Sequence, residues 1–221
     1  GIENPRILLA SNDVMKQGVG NAHDQVGRYF MEHPHLYGEG RFFGSHQLPK
    51  SELYQKHRSQ GQRIVTFLTV RPEVRMKEEI LNLSMCIRPA GGKTDALTRS
   101  IWRATQETDG GPAPKSPAAR RFVIDVRSEQ SPNPESRITL SNKKDALGQH
   151  RVDLAWAVTA LDKRSVRRSQ EILAQDFARS GLGRFQITLD QTEAFPKKME
   201  GGCHHLGTTR MHAEARHGVV D

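Results

Sequence analysis

The sequence predicts an α+β fold, a mainly antiparallel sheet with helices packed on one face. Strand-like and helix-like segments alternate along the 221 residues. The clearest strand pair, over 137–141 and 151–158, reads as an antiparallel hairpin with a long loop. That pairing favours an antiparallel layer over a doubly wound parallel sheet. An apolar fraction of 35% is adequate for a core, which argues against disorder throughout.

The elements follow in order. Asn4 can cap a short helix that ends near Ser11, with Pro5 at its first position, where a missing N–H costs nothing. Residues 18–21 form a glycine turn, and Pro34 biases His33 towards extended backbone. Residues 42–48 are ambiguous, with a strand among the readings. Residues 63–70 are β-branched and apolar enough for a buried strand. A short helix starts at Pro72 and runs to Ile80. Leu81, Leu83, Met85 and Ile87 then share one face of a strand. Thr94 caps a helix through Ala104 that buries Leu97, Ile101 and Trp102. Residues 105–119 form a long exposed, mobile loop. Residues 122–126 are a clear strand. Pro132 and Pro134 keep 130–136 irregular, and a polar turn over 142–145 closes the hairpin. Val152, Leu154, Trp156 and Val158 share one face of its second strand. The best helix covers 162–180, with Asp162 as cap and Val166, Leu173 and Phe177 as its apolar stripe. Gly181 stops it. Phe185, Ile187 and Leu189 mark a last strand, followed by a turn at Asp190 and Gln191.

The formal charge is +8, but the basic residues are scattered. Their densest cluster, Lys163, Arg164, Arg167 and Arg168, suits the solvated face of a helix. No nucleic-acid module accompanies the charge, so nucleic acid is not the expected partner. No run approaches the ~20 apolar residues of a membrane span. Cys86 and Cys203 are the only cysteines, which make no disulfide framework and leave the compartment open. The chain starts at Gly1 and stops after an apolar pair at Asp221. Both ends look cut, and a segment of a longer protein is expected.

Residues 201–211 read Gly-Gly-Cys-His-His-Leu-Gly-Thr-Thr-Arg-Met. Imidazole changes protonation near neutral pH, and flanking glycines let another molecule approach closely. The stretch therefore suits acid–base work on a bound substrate, or it is a histidine-rich surface loop. No activating partner is identifiable for Cys203 as a nucleophile. Cys203, His204, His205 and His212 match no zinc spacing, and adjacent histidines rarely face one ion, so no metal is expected. His33 and His35 read as structural or loop histidines. Trp102, Trp156 and Phe177 suit a core better than a substrate platform.

Four stretches in order resemble one family. The loop from Cys203 to Met211 is similar to the His-x-x-Gly-Thr-x-x-Met pattern of the glucose–methanol–choline (GMC) oxidoreductases, with His204, Gly207, Thr208 and Met211 in its places. The segment 1–11 resembles the Gly-x-x-Ser-Pro-x-Leu-Leu-x-x-Ser signature, with Asn4 replacing the usual Ser or Thr. Residues 27–34 resemble the Gly-Arg-Asn-Leu-x-x-His segment, with Tyr29 in place of Asn. Residues 132–138 resemble the stretch that opens a substrate-domain strand.

The resemblance implies the C-terminal half of an FAD-dependent enzyme that oxidises CH–OH groups of alcohols, sugars or polyols by hydride transfer to flavin. It implies residues 1–35 adjoining the flavin domain, a substrate domain over 36–200, and a truncated histidine loop over 201–221. The main FAD-binding turn lies outside this chain. His204 becomes the catalytic base, a task that suits a neutral imidazole. Gly1, Asn4 and Pro5 become cofactor-side residues. His205 becomes a substrate-side residue, although structural duty suits it better. The electron acceptor stays open among oxygen, a quinone and a cytochrome. The alternative reading is a non-catalytic basic binding module or a degenerate copy.

Overall fold

The computed structural model describes residues 1–38, 40–44, 57–89, 120–181, 183–189, 195 and 199–221. The expectations for 45–48, 94–104, 105–119 and the turn at Asp190 and Gln191 lie outside the described residues. The elements are α1 (Glu3–Ala10), β1 (His35–Leu36), β2 (Gly40–Gly44), β3 (His57–Ser59), β4 (Gln62–Ile64), α2 (Pro72–Glu78), β5 (Leu83–Pro89), β6 (Arg120–Ser128), β7 (Arg137–Lys144), β8 (His150–Ala155), α3 (Ala160–Arg179) and β9 (Gly183–Ile187). Among the described residues all strand pairs are antiparallel, and the fold is α+β as the sequence predicts.

The chain divides into two compact units. The first comprises Gly1–Pro34, Glu129–Lys163 and Gly201–Asp221, and the second His35–Ser128 and Arg164–Glu200.

The second unit is built on β6. This strand pairs with β5 along one edge and with β1 and β2 along the other, and β9 extends the sheet beyond β2. The register is interrupted between β1 and β2, and there the Asp125 carboxylate accepts the Gly38 N–H at 3.2 Å. Period-two alternation places Leu83, Met85 and Ile87 of β5 in the core, with Phe122, Ile124 and Val126 of β6. Val166 and Phe177 of α3 close the core from one face, with Leu173 packed beside them. Each such side chain, fully buried, contributes roughly 1.5–3 kcal/mol.

Two strand expectations are corrected in this unit. The strand expected over 63–70 does not form. Its first residues belong to β4, which among the described residues pairs only with β3, through a turn at Gln60 and Gly61, both at positive φ. Beyond β4 the run makes one bridge, Leu68 to Met85, and Phe67 is 40% exposed. Leu81 also falls outside β5. Its N–H goes to Ser165 Oγ at 2.9 Å instead of to a neighbouring strand. Arg168 of α3 holds Glu78 of α2 through two bonds of 2.8 and 2.9 Å.

The first unit is a hairpin with α1 against it. Strand β7 continues through Lys144, so the turn falls later than 142–145. Asp145 Oδ1 closes it by accepting the N–H groups of Leu147 and Gln149 at 2.9 and 3.0 Å. Arg6 of α1 reaches across to the His150 carbonyl and to Asp145, both at 2.7 Å. Asn4 lies inside α1 and does not cap it. The capping position is Ile2, with no side-chain bond. Asp162 is likewise not the cap of α3. Thr159 precedes the helix, and Asp162 reaches back from the first turn to accept the Thr159 N–H at 2.5 Å and its hydroxyl at 2.8 Å.

Candidate active site

Four separated segments meet in the first unit. Thr208 is buried, and its hydroxyl donates to the Gly1 carbonyl at 2.9 Å. The Gly27 N–H donates to the Thr208 carbonyl, and the Ile138 N–H to the Gly27 carbonyl, each at 2.9 Å. Ser136 binds Phe30 twice, accepting the Phe30 N–H at 2.7 Å and donating its hydroxyl to the Phe30 carbonyl at 2.6 Å. Met31 and Leu206 exchange backbone bonds of 2.9 and 3.0 Å. Segments 1–11, 27–34, 132–138 and 203–211 are thus joined residue by residue.

Local sequence explains how closely they approach. Gly207 has φ +92°, and a Cβ there would run into the Tyr29 carbonyl, so only glycine fits. The Arg210 guanidinium lies 3.8 Å above the Tyr29 ring, a cation–π contact that ties the loop's far side to the same segment.

Beneath the loop lies Glu32, whose side chain is 2% exposed. Its carboxylate accepts the N–H of His33 at 2.7 Å and that of His204 at 3.1 and 3.0 Å. The Gly202 N–H also bonds to it. Nε2 of His205 stands 3.2 Å from Oε2. Burial alone would raise the Glu32 carboxyl. The N–H donors of His33 and His204, the His205 ring and the Gly202 N–H outweigh it, and Glu32 titrates below its ordinary value. The Glu32 backbone is held from behind. Its N–H donates to Gln130 Oε1 at 3.1 Å, which also accepts Trp156 Nε1–H at 2.9 Å.

This arrangement separates the two histidines. His204 is exposed, and its ring meets the His33 ring edge-on at 5.5 Å. His205 is half-buried, its ring 5.4 Å from Phe30 and one nitrogen directed at Glu32. Cys203 is exposed and takes the left-handed φ of +62°, which turns the chain into the pair. Gly1 and Asn4 are exposed and Pro5 is buried. His35 belongs to the second unit, where its Nδ1 lies 3.0 Å from the Tyr37 hydroxyl. Trp156 is half-buried and lies outside the core, and it serves the scaffold through its bond to Gln130. Among the described residues no group of three or more His, Cys, Asp or Glu is arranged to hold a metal ion. None of their helices is long and apolar enough to cross a membrane.

Glu32 carries no expectation from the sequence. The available signal was one acid between Met31 and the His33–Pro34 pair in an otherwise apolar stretch. Its partner His204 on the loop lies 172 residues away.

Residues 132–221 match the family model described as GMC oxidoreductase. That family is one of flavin-dependent oxidoreductases acting on small molecules. Over these residues the chain is similar to the C-terminal region of GMC oxidoreductases. The match takes in β7, β8, α3, β9 and the histidine loop. No curated protein matches the chain.

Proposed function

We propose that this chain forms the alcohol-oxidising side of an FAD-dependent oxidoreductase, acting on a CH–OH group of an alcohol, sugar or polyol. The observation that carries the reading is the exposed imidazole of His204, presented on a loop whose backbone is bonded to a buried carboxylate. An alcohol cannot become a carbonyl unless its hydroxyl proton leaves as the carbon gives up hydride. His204 takes that proton at an imidazole nitrogen.

The residues present fit a flavin beside this loop. Thr208 ties the Gly1 end of α1 to the histidine loop, which supports a place for that segment beside the cofactor. Gly1 and Asn4 would face the cofactor, and buried Pro5 would set the turn that presents them. When bound, the flavin supplies the two-electron acceptor. His205 spends one nitrogen on Glu32, so its part in substrate binding is secondary to holding the loop.

The test is flavin bleaching by a panel of alcohols and sugars in the holoenzyme. His204→Ala is expected to slow bleaching by roughly 10²–10⁴-fold. Bleaching at the unaltered rate removes His204 from the mechanism. A holoenzyme that no member of the panel bleaches leaves the non-catalytic reading.

A further inference from the structure

We propose that Glu32 is a positioning residue, whose carboxylate under the histidine loop sets how the His204 imidazole is presented to substrate. The inference deepens the reading of His204 above and rests on it.

A carboxylate offers about four acceptor positions. Glu32 gives all of its bonds to one local structure: the N–H groups of His33, Gly202 and His204 and the ring of His205. Among the described residues no lysine or arginine pairs with it, so it is not a surface ion pair that happens to lie nearby. The N–H groups of His33 and His204 meet on this single group, and the rings of the same two residues touch edge-on at 5.5 Å. One side chain therefore fixes the spacing of both backbones and, through them, both rings.

The fit is close on either side of the carboxylate. A Cβ at Gly201 would stand 2.8 Å from Glu32 Cγ, so the loop lies directly on the side chain. Behind it, Gln130 accepts the Glu32 N–H and donates Nε2–H to the Ala157 carbonyl at 3.2 Å. A clamped acceptor under a glycine loop suits positioning, because a misplacement of about 1 Å can cost roughly 10²-fold in rate.

The test uses the holoenzyme in three forms: unaltered, Glu32→Gln and Gly201→Ala. The first substitution keeps the volume but turns one acceptor oxygen into an NH₂ group facing N–H donors. The second removes no polar group and presses the loop away from Glu32 Cγ. Two quantities are read, kcat per bound flavin and deuterium uptake by backbone amides. Both variants are expected to lose at least about tenfold in kcat per flavin, with KM within about threefold. Both are expected to exchange about tenfold faster over 201–206, while β7 exchanges as before. A merely structural Glu32 would lower flavin content and leave kcat per flavin intact. Unchanged uptake over 201–206 in both variants overturns the proposal. So does faster uptake with unchanged kcat per flavin. His204→Ala separately decides the role of His204, and the exchange arm does not depend on its result.

Discussion

Glu32 and His204 are joined by one backbone N–H that lies 3.1 and 3.0 Å from the two carboxylate oxygens. The bond spans 172 positions of sequence and makes a buried charge part of the loop that carries the exposed imidazole. Removing the charge leaves the His33 and His204 N–H groups short of an acceptor. Such unsatisfied groups cost about 1–3 kcal/mol each.

The pH dependence of stability follows from the same bonds. Glu32 is held below its ordinary value near 4.5 in the folded chain. A carboxyl depressed by folding contributes fully above its unfolded value, and the contribution is lost as pH falls through the folded one. The stability margin of the unaltered protein over Glu32→Gln is therefore expected to be flat above about pH 5 and to shrink below about pH 4.5. Urea midpoints of both proteins between about pH 3 and 6 measure it. A margin that stays constant across that window assigns the acid sensitivity to another group.

Gly207→Ala tests the close approach of the loop to Tyr29. The residue sits at φ +92° with the Tyr29 carbonyl where a Cβ would go, so alanine brings both strain and a backbone clash. A loss of about 2 kcal/mol or more is expected, read as a lower urea midpoint. A loss below about 0.5 kcal/mol would mean that the two segments separate without cost.

Much of the fold is legible from local pattern. The alternation of Leu83, Met85 and Ile87 and the stripe of Val166, Leu173 and Phe177 each mark one buried face, and the structure buries those faces. The run over 63–70 misleads because a β-branched apolar segment becomes a strand only where a neighbouring strand pairs along its length. Here the turn at Gln60 and Gly61 folds its start back on β3. The two capping expectations fail for a shared reason. Asn4 and Asp162 are acceptable caps by type, but the helices begin earlier, at Glu3 and Ala160. The family motifs place His204 in the loop from sequence alone. Glu32 stays hidden because its burial depends on the return of residues 201–205, which no local periodicity encodes.

His205 and Glu32 are expected to be energetically coupled. Nε2 of His205 lies 3.2 Å from Oε2 of Glu32. A double-mutant cycle of Glu32→Gln and His205→Ala is expected to give a coupling of about 0.5–3 kcal/mol in stability. His205→Ala alone is expected to slow bleaching much less than His204→Ala, because its nitrogen serves the scaffold. Additive stability losses would show that the contact contributes nothing.

Asp162 offers a test of the scaffold away from the imidazoles. It is fully buried, and its carboxylate accepts the Ser131 N–H at 2.6 Å and the Ser131 hydroxyl at 3.0 Å, besides the N–H and hydroxyl of Thr159. These bonds lock the irregular stretch after β6 to the first turn of α3. The Pro132 that follows has no N–H of its own to offer, so Ser131 supplies the donors at that corner. Asp162→Ala strands the buried Ser131 N–H and the half-buried Thr159 N–H and is expected to cost about 2–4 kcal/mol. Thermal unfolding measures it. Asp162→Asn is expected to recover only part of the loss, because its NH₂ group must face a donor. Full recovery would mean that one oxygen suffices and that the Ser131 bonds are dispensable.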